Sequence, residues 1–212
     1  MTSICENIQQ IKREIGNVEL VVVSKYRSMS ELNEVYECGH RDLGENRVQE
    51  LSSKAAELPK DIRWHMIGHL QSNKVKYISE FIHLIHAVDS MKLLRKIDLE
   101  AQKHDRTIHF LFQIHIAEEE SKYGLIPDKL QEILTSEDYI QLKNVKCLGL
   151  MGMATNTKNE AQIQLEFSQL KQLFKLHNPG NWTTLSMGMS NDYPLAIGEG
   201  STCIRVGSKV FD

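Results

Sequence analysis

The sequence predicts a single (β/α)8 barrel of the TIM type with one extra N-terminal helix, an α/β fold spanning residues 1–212. Three observations lead there. Eight short apolar runs recur along the chain, at 20–24, 41–45, 62–68, 81–88, 108–116, 145–153, 182–188 and 203–208. Amphipathic stretches with helical spacing lie between them. The runs are largely apolar and do not alternate cleanly with polar residues, which suits parallel strands buried on both faces. Strand and helix patterns alternate eight times, with no Pro/Ser/Gly linker or low-complexity segment to mark a domain boundary.

Each element has its own signal. Ile4, Ile8, Ile11 and Ile15 form one helical stripe ahead of the first run and supply the extra helix. LVVVS at 20–24 is the first strand, and Ser30 or Ser28 caps the helix after it. RDLGE, IRWHMIG and FIHLIHAV supply strands two to four; Asp89 or Ser90 then caps a helix with the stripe Leu93, Leu94, Ile97 and Ala101. IHFLFQIHI and VKCLGLMGM are strands five and six, followed by the stripe Ile163, Phe167, Leu170 and Phe174. WTTLSMG and CIRVGS complete the set. The first four units are roughly twenty residues each, tighter than the ~30 of a full βαβ unit, so their boundaries are set only to within a few residues.

Composition excludes several classes. Hydrophobic residues make up 41% and charged residues 25% of the 212, as in an ordinary globular domain with one sizeable core. The formal net charge of −3 gives no basic field to recruit nucleic acid or an anionic membrane. No apolar run approaches the ~20 residues of a membrane span. The start MTSICENIQQ has neither a basic n-region nor an apolar h-region. Cys5, Cys38, Cys147 and Cys203 form no CxxC pair and no zinc spacing, so four free thiols in a reducing compartment are expected. The expectation is a cytoplasmic protein.

A barrel of this kind places its chemistry where each strand stops. Lys25 directly follows the first apolar run, at the mouth and partly shielded by the walls, where desolvation frees an amine for attack on an aldehyde. Taken alone it is an ordinary strand-end lysine. Asn46 ends the second run and can offer a ligand both a donor and an acceptor, or simply cap a helix. His65 and His69 have a spacing that binds metal only on a helix; Gly68 interrupts it and no Glu follows His65, so no metal is expected. His83, His86, His109 and His115 read as structural residues in and around strands. LSMGMS at 185–190 and RVGS at 205–208 put glycines and hydroxyls in the turns after strands seven and eight, a recurrent phosphate position in barrels. Ser186, Gly188, Gly207 and Ser208 are the candidate cradle, with Arg205 beside it; two ordinary Gly/Ser turns and a surface ion pair are the plain alternative.

As an ordered set, VVVSK (21–25), DLGENRVQE (42–50), WHMIGHLQSNK (64–74), HAVDS (86–90), SKYG (121–124), GLMGM (149–153), LSMGMS (185–190) and GSTCIRVGSKVF (200–211) resemble the pyridoxal phosphate homeostasis protein family, also called the proline synthase co-transcribed family. The match spans almost the whole chain. The resemblance implies a pyridoxal 5'-phosphate (PLP) barrel similar to the alanine racemase N-terminal domain. Lys25 would hold PLP as a Schiff base, Ser186, Gly207 and Ser208 would bind its phosphate, Arg205 would face the pyridine nitrogen, and Asn46 would line the pocket. The family usually has threonine where this chain has Ser208, which keeps the hydroxyl. It often has proline shortly after the lysine, where this chain reads Tyr26-Arg27-Ser28.

These residues point to a carrier rather than a catalyst. An arginine cannot accept the ring-nitrogen proton, so it weakens the electron sink that carbanion chemistry uses, although alanine racemase also has an arginine there. A racemase further needs an acid/base on each face of the substrate carbon, one of them supplied in alanine racemase by a C-terminal β-domain for which this sequence has no segment. The expected role is PLP homeostasis, with apo-PLP enzymes as recipients, no nucleic-acid or membrane partner, and a monomeric state because a closed barrel leaves no edge. Two alternatives stay open: a PLP-dependent racemase or lyase using Tyr123, His65 or a partner chain as its second acid/base, and a phosphosugar barrel enzyme without PLP.

Overall fold

Ser3 opens the first helix with a reciprocal cap: its hydroxyl accepts from the Glu6 N–H while the Glu6 carboxylate accepts from the Ser3 N–H. Helix α1 (Ile4–Ile15) then buries Ile8, Ile11 and Ile15. In this computed structural model, which describes residues 3–119 and 121–212, β1 (Glu19–Val23), β2 (Asp42–Glu45), β3 (Arg63–Met66), β4 (Leu84–Val88), β5 (Ile108–Ile114), β6 (Val145–Gly152), β7 (Thr184–Met189) and β8 (Cys203–Val206) pair in parallel in chain order, and β8 closes on β1. All eight expected strands are present, within three residues of their expected bounds.

The helices fill the outer layer. They are α2 (Met29–Glu37), α3 (Val48–Glu57), α4 (Met91–Lys103), α5 (Pro127–Leu134), α6 (Glu137–Ile140), α7 (Glu160–His177), α8 (Tyr193–Gly198) and α9 (Ser208–Phe211). A 3₁₀ helix, Ser72–Tyr77, replaces the α-helix between β3 and β4. Of the open caps, Ser28 rather than Ser30 starts α2, in a capping box with Glu31, and Ser90 rather than Asp89 starts α4. The choice follows from reach: each serine oxygen accepts the N–H three residues on. Among the described residues no helix is long and apolar enough to cross a membrane.

One cysteine expectation is overturned. Cys5 on α1 and Cys38 at the end of α2 form a disulfide, with their Cα atoms 5.4 Å apart. Packing of α1 against α2 joins residues 33 apart in sequence, which no local spacing rule detects. The pair also removes one support for a reducing compartment. Cys147 and Cys203 are free and buried, and burial pushes both thiols up to about 12, so neither is a ready nucleophile.

Two local devices shape the wall. The β5–β6 register slips between Phe110 and Leu111, which face Cys147 and Gly149, so Leu148 is an extra residue in β6. Gly149 follows at φ 145°, and a Cβ there would collide with the Thr184 carbonyl oxygen. Behind β1, a buried triangle joins barrel to helix. The Lys54 ammonium donates to Glu45 Oε1 at 2.5 Å and to the Ser24 carbonyl at 2.8 Å, and the Ser24 hydroxyl donates to the same Glu45 oxygen at 2.7 Å. Glu45 is fully buried, and the Lys54 ammonium is its ion-pair partner.

Gly149→Ala is expected to lower unfolding stability in urea by roughly 3 kcal/mol, because strained backbone and overlap with a backbone oxygen add. Lys54→Met should cost about 3–5 kcal/mol by leaving an unpaired buried carboxylate, and adding Glu45→Gln should restore much of that loss.

Candidate functional site

The strand ends meet around one cavity of about 1390 Å³ at the C-terminal face of the barrel. Lys25, Asn46, Arg205, Gly207 and Ser208 all line it. Lys25 leaves β1 immediately after Val23 and Ser24, and the brace from Lys54 to the Ser24 carbonyl fixes the backbone on which it stands. Lys25 is exposed in the open mouth; the shielding walls expected from sequence do not cover it. Tyr26, which follows, has φ 63°, an uncommon value for an aromatic residue. Arg27 then ties this loop to the other end of the chain, pairing with Asp212 at 2.9 Å and stacking its guanidinium 4.5 Å from the centre of the Phe211 ring.

Gly207 lies on the neighbouring strand end, since β8 pairs with β1. A Cβ at Gly207 would sit 3.3 Å from Val23 Cβ and 3.4 Å from the Val23 oxygen, so glycine lets the two strand ends approach closely. The Gly207 N–H donates to the Ser190 hydroxyl at 3.3 Å, and α9 begins at Ser208. The first N–H groups of a helix lack intrahelical partners and favour an anion. Gly207, Ser208 and Ser190 thus form a candidate cradle next to Lys25, with the Gly207 N–H already given to the Ser190 hydroxyl.

Ser186 is not in that cradle. It is fully buried inside the barrel and does not line the cavity. Its hydroxyl accepts from Arg205 Nη1 at 2.5 Å and contacts His86 Nδ1 at 3.0 Å. The physical reason is depth: Ser186 lies four residues before Ser190, an even number along the strand direction, and the chain reaches the mouth only at Ser190. Gly188 is also outside it; at φ 97° it makes room for Tyr193 and Ala196 of α8.

Arg205 is 3% exposed and reaches the cavity from inside the barrel. Its Nη2 donates to the Gly152 carbonyl at 3.2 Å. Burial lowers its pKa from the ordinary guanidinium value, leaving it a strong donor. At the end of β2, on the other side of β1, Asn46 is exposed to the cavity, and Gly68 packs onto its backbone, where a Cβ would lie 2.7 Å from Asn46 Cα. The His69 ring stacks on Tyr123 at 3.9 Å between centroids and faces Asp89 at 3.3 Å. The Tyr123 loop is held by Gln113 Nε2, which donates to the Tyr123 carbonyl at 2.7 Å. His65, by contrast, is sealed inside the barrel with both ring nitrogens engaged, so it cannot act at the mouth.

Sequence reading missed Ser190, Gly68 and Gln113. Ser190 lay in the LSMGMS motif, and the period of two from Ser186 gave the available signal. Gly68 read as a break in a strand rather than as a seat for Asn46.

Residues 1–211 match the family model for the alanine racemase N-terminal domain. The chain is 36% identical over 219 aligned positions to the pyridoxal phosphate homeostasis protein of Aquifex aeolicus, covering 100% of this chain and 95% of that protein. PipY of Synechococcus elongatus PCC7942, solved with PLP bound, superposes with a TM-score of 0.90 at 35% identity, covering 99% of this chain and 100% of PipY. Alanine racemase from Bartonella henselae shares the fold alone, with a TM-score of 0.75 at 14% identity; 98% of this chain aligns with 58% of the racemase. Its likeness over full length to relatives of that name, together with the barrel and its mouth, shows that the chain belongs to the pyridoxal phosphate homeostasis protein family.

Proposed function

We propose that this protein binds pyridoxal 5'-phosphate and serves PLP homeostasis, holding the cofactor on Lys25 as a Schiff base. The observation that carries this reading is the placement of Lys25 and the Gly207–Ser208 turn on adjacent strand ends of one cavity, with the Arg205 guanidinium opening into it. The residues fit the group. An aldehyde needs a primary amine, a phosphate needs converging N–H and O–H donors, and the ring nitrogen can accept from a guanidinium. Lys25 supplies the first, Gly207, Ser208 and Ser190 the second, and Arg205 the third. Asn46 lines the wall near Lys25. When bound, the cofactor would supply a reactive aldehyde, and Lys25 is the residue whose primary amine would hold it.

In this reading Lys25 is an anchor. Arg205 donates and cannot take a proton from the ring, so the chain offers no strong electron sink. The relatives matched over full length are named for homeostasis rather than for a reaction, which agrees with that role. The protein then acts as a cytoplasmic monomer, with apo-PLP enzymes as its recipients. The racemase or lyase reading loses His65 to the barrel interior and keeps Tyr123, which is 55% exposed at the rim.

Borohydride reduction of the PLP-treated protein followed by peptide mapping should place a pyridoxyl group on Lys25, and Lys25→Ala should lose both the adduct and the visible absorption. An adduct on another lysine would contradict the assignment. Assayed against a panel of amino acids, the loaded protein should show no α-hydrogen exchange; exchange abolished by Lys25→Ala would favour the enzyme reading. Ser190→Ala should weaken PLP binding about three- to tenfold in an equilibrium titration without moving the visible maximum, since the change touches the phosphate end alone.

A further inference from the structure

The barrel interior holds a continuous polar chain that runs inward from Arg205. Barrel interiors of this type are normally filled by layers of branched apolar side chains. Here Leu84, Ala87, Leu111 and Met151 form only a small apolar cluster. Beside it run Arg205, Ser186, His86, His65 and Asp42, every one of them buried. The links are Arg205 Nη1 to Ser186 Oγ at 2.5 Å, Ser186 Oγ to His86 Nδ1 at 3.0 Å, His86 Nε2 to His65 Nδ1 at 3.0 Å, and His65 Nε2 to Asp42 Oδ1 at 3.2 Å. Because His86 stands on β4 and Ser186 on β7, which are not neighbours, the chain crosses the barrel. It ends at the opposite face, where Arg63 Nε donates to Asp42 Oδ1 at 2.6 Å and Arg63 Nη2 donates to Oδ2.

With both imidazoles neutral, the chemistry of the two ends orders the protons between them. Arginine only donates and a carboxylate only accepts. Ser186 therefore accepts from Arg205 and must give its single proton to His86 Nδ1. His86 is then an acceptor at Nδ1 and a donor at Nε2, and the same holds for His65. Burial, aided by the charge of Arg205, drives the His86 pKa well below its ordinary value, so the ring is neutral. Burial opposes the Asp42 carboxylate, yet the hydrogen bonds from His65 and Arg63 outweigh it and hold its pKa well below the ordinary range. A proton relay is excluded at the upper end, because Arg205 neither releases nor accepts a proton in this range.

We infer that Ser186, His86, His65 and Asp42 are positioning residues that lock the Arg205 guanidinium in one orientation and so set its contact with the cofactor's ring. The role of Arg205 toward a ring nitrogen rests on the proposed PLP reading; the locking of Arg205 does not. One buried guanidinium has five N–H donors to place. Ser186 takes one and the Gly152 carbonyl takes another, which leaves three on a residue that lines the cavity. The directed chain behind Ser186 prevents its hydroxyl from rotating away. Glu19, Asp42 and His65 also stand close together at the lower face, but the Asp42 oxygens are already committed to Arg63 and His65, and no cation site is inferred there.

The test uses ¹⁵N-labelled full-length protein, first without PLP. His65 and His86 should both be neutral with the proton on Nε2, and the Arg205 η-nitrogen signals should be resolved and slow to exchange. Ser186→Ala should average those Arg205 signals, while Ser186→Thr, which keeps the hydroxyl, should preserve them. With PLP added, Ser186→Ala and His86→Leu should each shift the visible maximum and weaken binding on the order of tenfold, the factor for one lost hydrogen bond to a charged group. Either histidine protonated or carrying its proton on Nδ1 would overturn the inference. So would Arg205 signals in Ser186→Ala identical to wild type. Failure of the wild type to bind PLP would count against the proposed function alone, because the histidine and arginine signals are read in its absence.

Discussion

A guanidinium sealed inside a barrel governs this structure. Arg205 sits on the last strand, faces inward, and is buried to 3% exposure. An isolated charge in that position is costly, so the surrounding strands must supply acceptors. β7 supplies Ser186 and β6 the Gly152 carbonyl, and behind Ser186 β4, β3 and β2 supply His86, His65 and Asp42. Four of these strands hold inward-facing polar side chains that a purely apolar core would have excluded. The polar interior follows from placing one donor at the mouth, and the apolar packing that stabilises the barrel is moved outward, between strands and helices.

The mouth is built by a second constraint, close approach of neighbouring strand ends. Gly207 meets Val23 and Gly68 meets the Asn46 backbone, so a side chain at either glycine would push apart the segments that carry Lys25 and Asn46. The Glu45–Lys54 pair works from outside the barrel on the same segment, through the Ser24 carbonyl. Arg27 closes the ring by tying the loop after Lys25 to Phe211 and Asp212. Lys25 is thus exposed and chemically accessible while its backbone is fixed on three sides.

Much of this was legible in the sequence. The eight apolar runs marked the eight strands because parallel strands buried on both faces cannot carry many polar residues. That Lys25, Asn46, Arg205, Gly207 and Ser208 meet at one cavity was legible because strand ends converge at the mouth of a barrel. Ser186 lies deeper than the sequence suggested for a physical reason: it shares the alternation phase of Ser190 but stands four residues earlier, below the mouth, and the motif does not mark where the strand emerges. The Cys5–Cys38 bond was invisible because it depends on how two helices pack. The histidine chain was equally hidden. His65 and His86 read as ordinary strand residues, and only closure of the barrel brings them between Arg205 and Asp42.

The central claim is that Lys25, the Gly207–Ser208 turn and Arg205 form one PLP site whose polarity is set from inside the barrel. A crystal structure of the protein grown with PLP tests it most directly. Continuous density should join the Lys25 Nζ to the cofactor, with its phosphate against Gly207, Ser208 and Ser190, its ring nitrogen on Arg205, and the Arg205–Ser186–His86 bonds intact. Density for the cofactor detached from Lys25, or a phosphate seated away from the β8 turn, would contradict it.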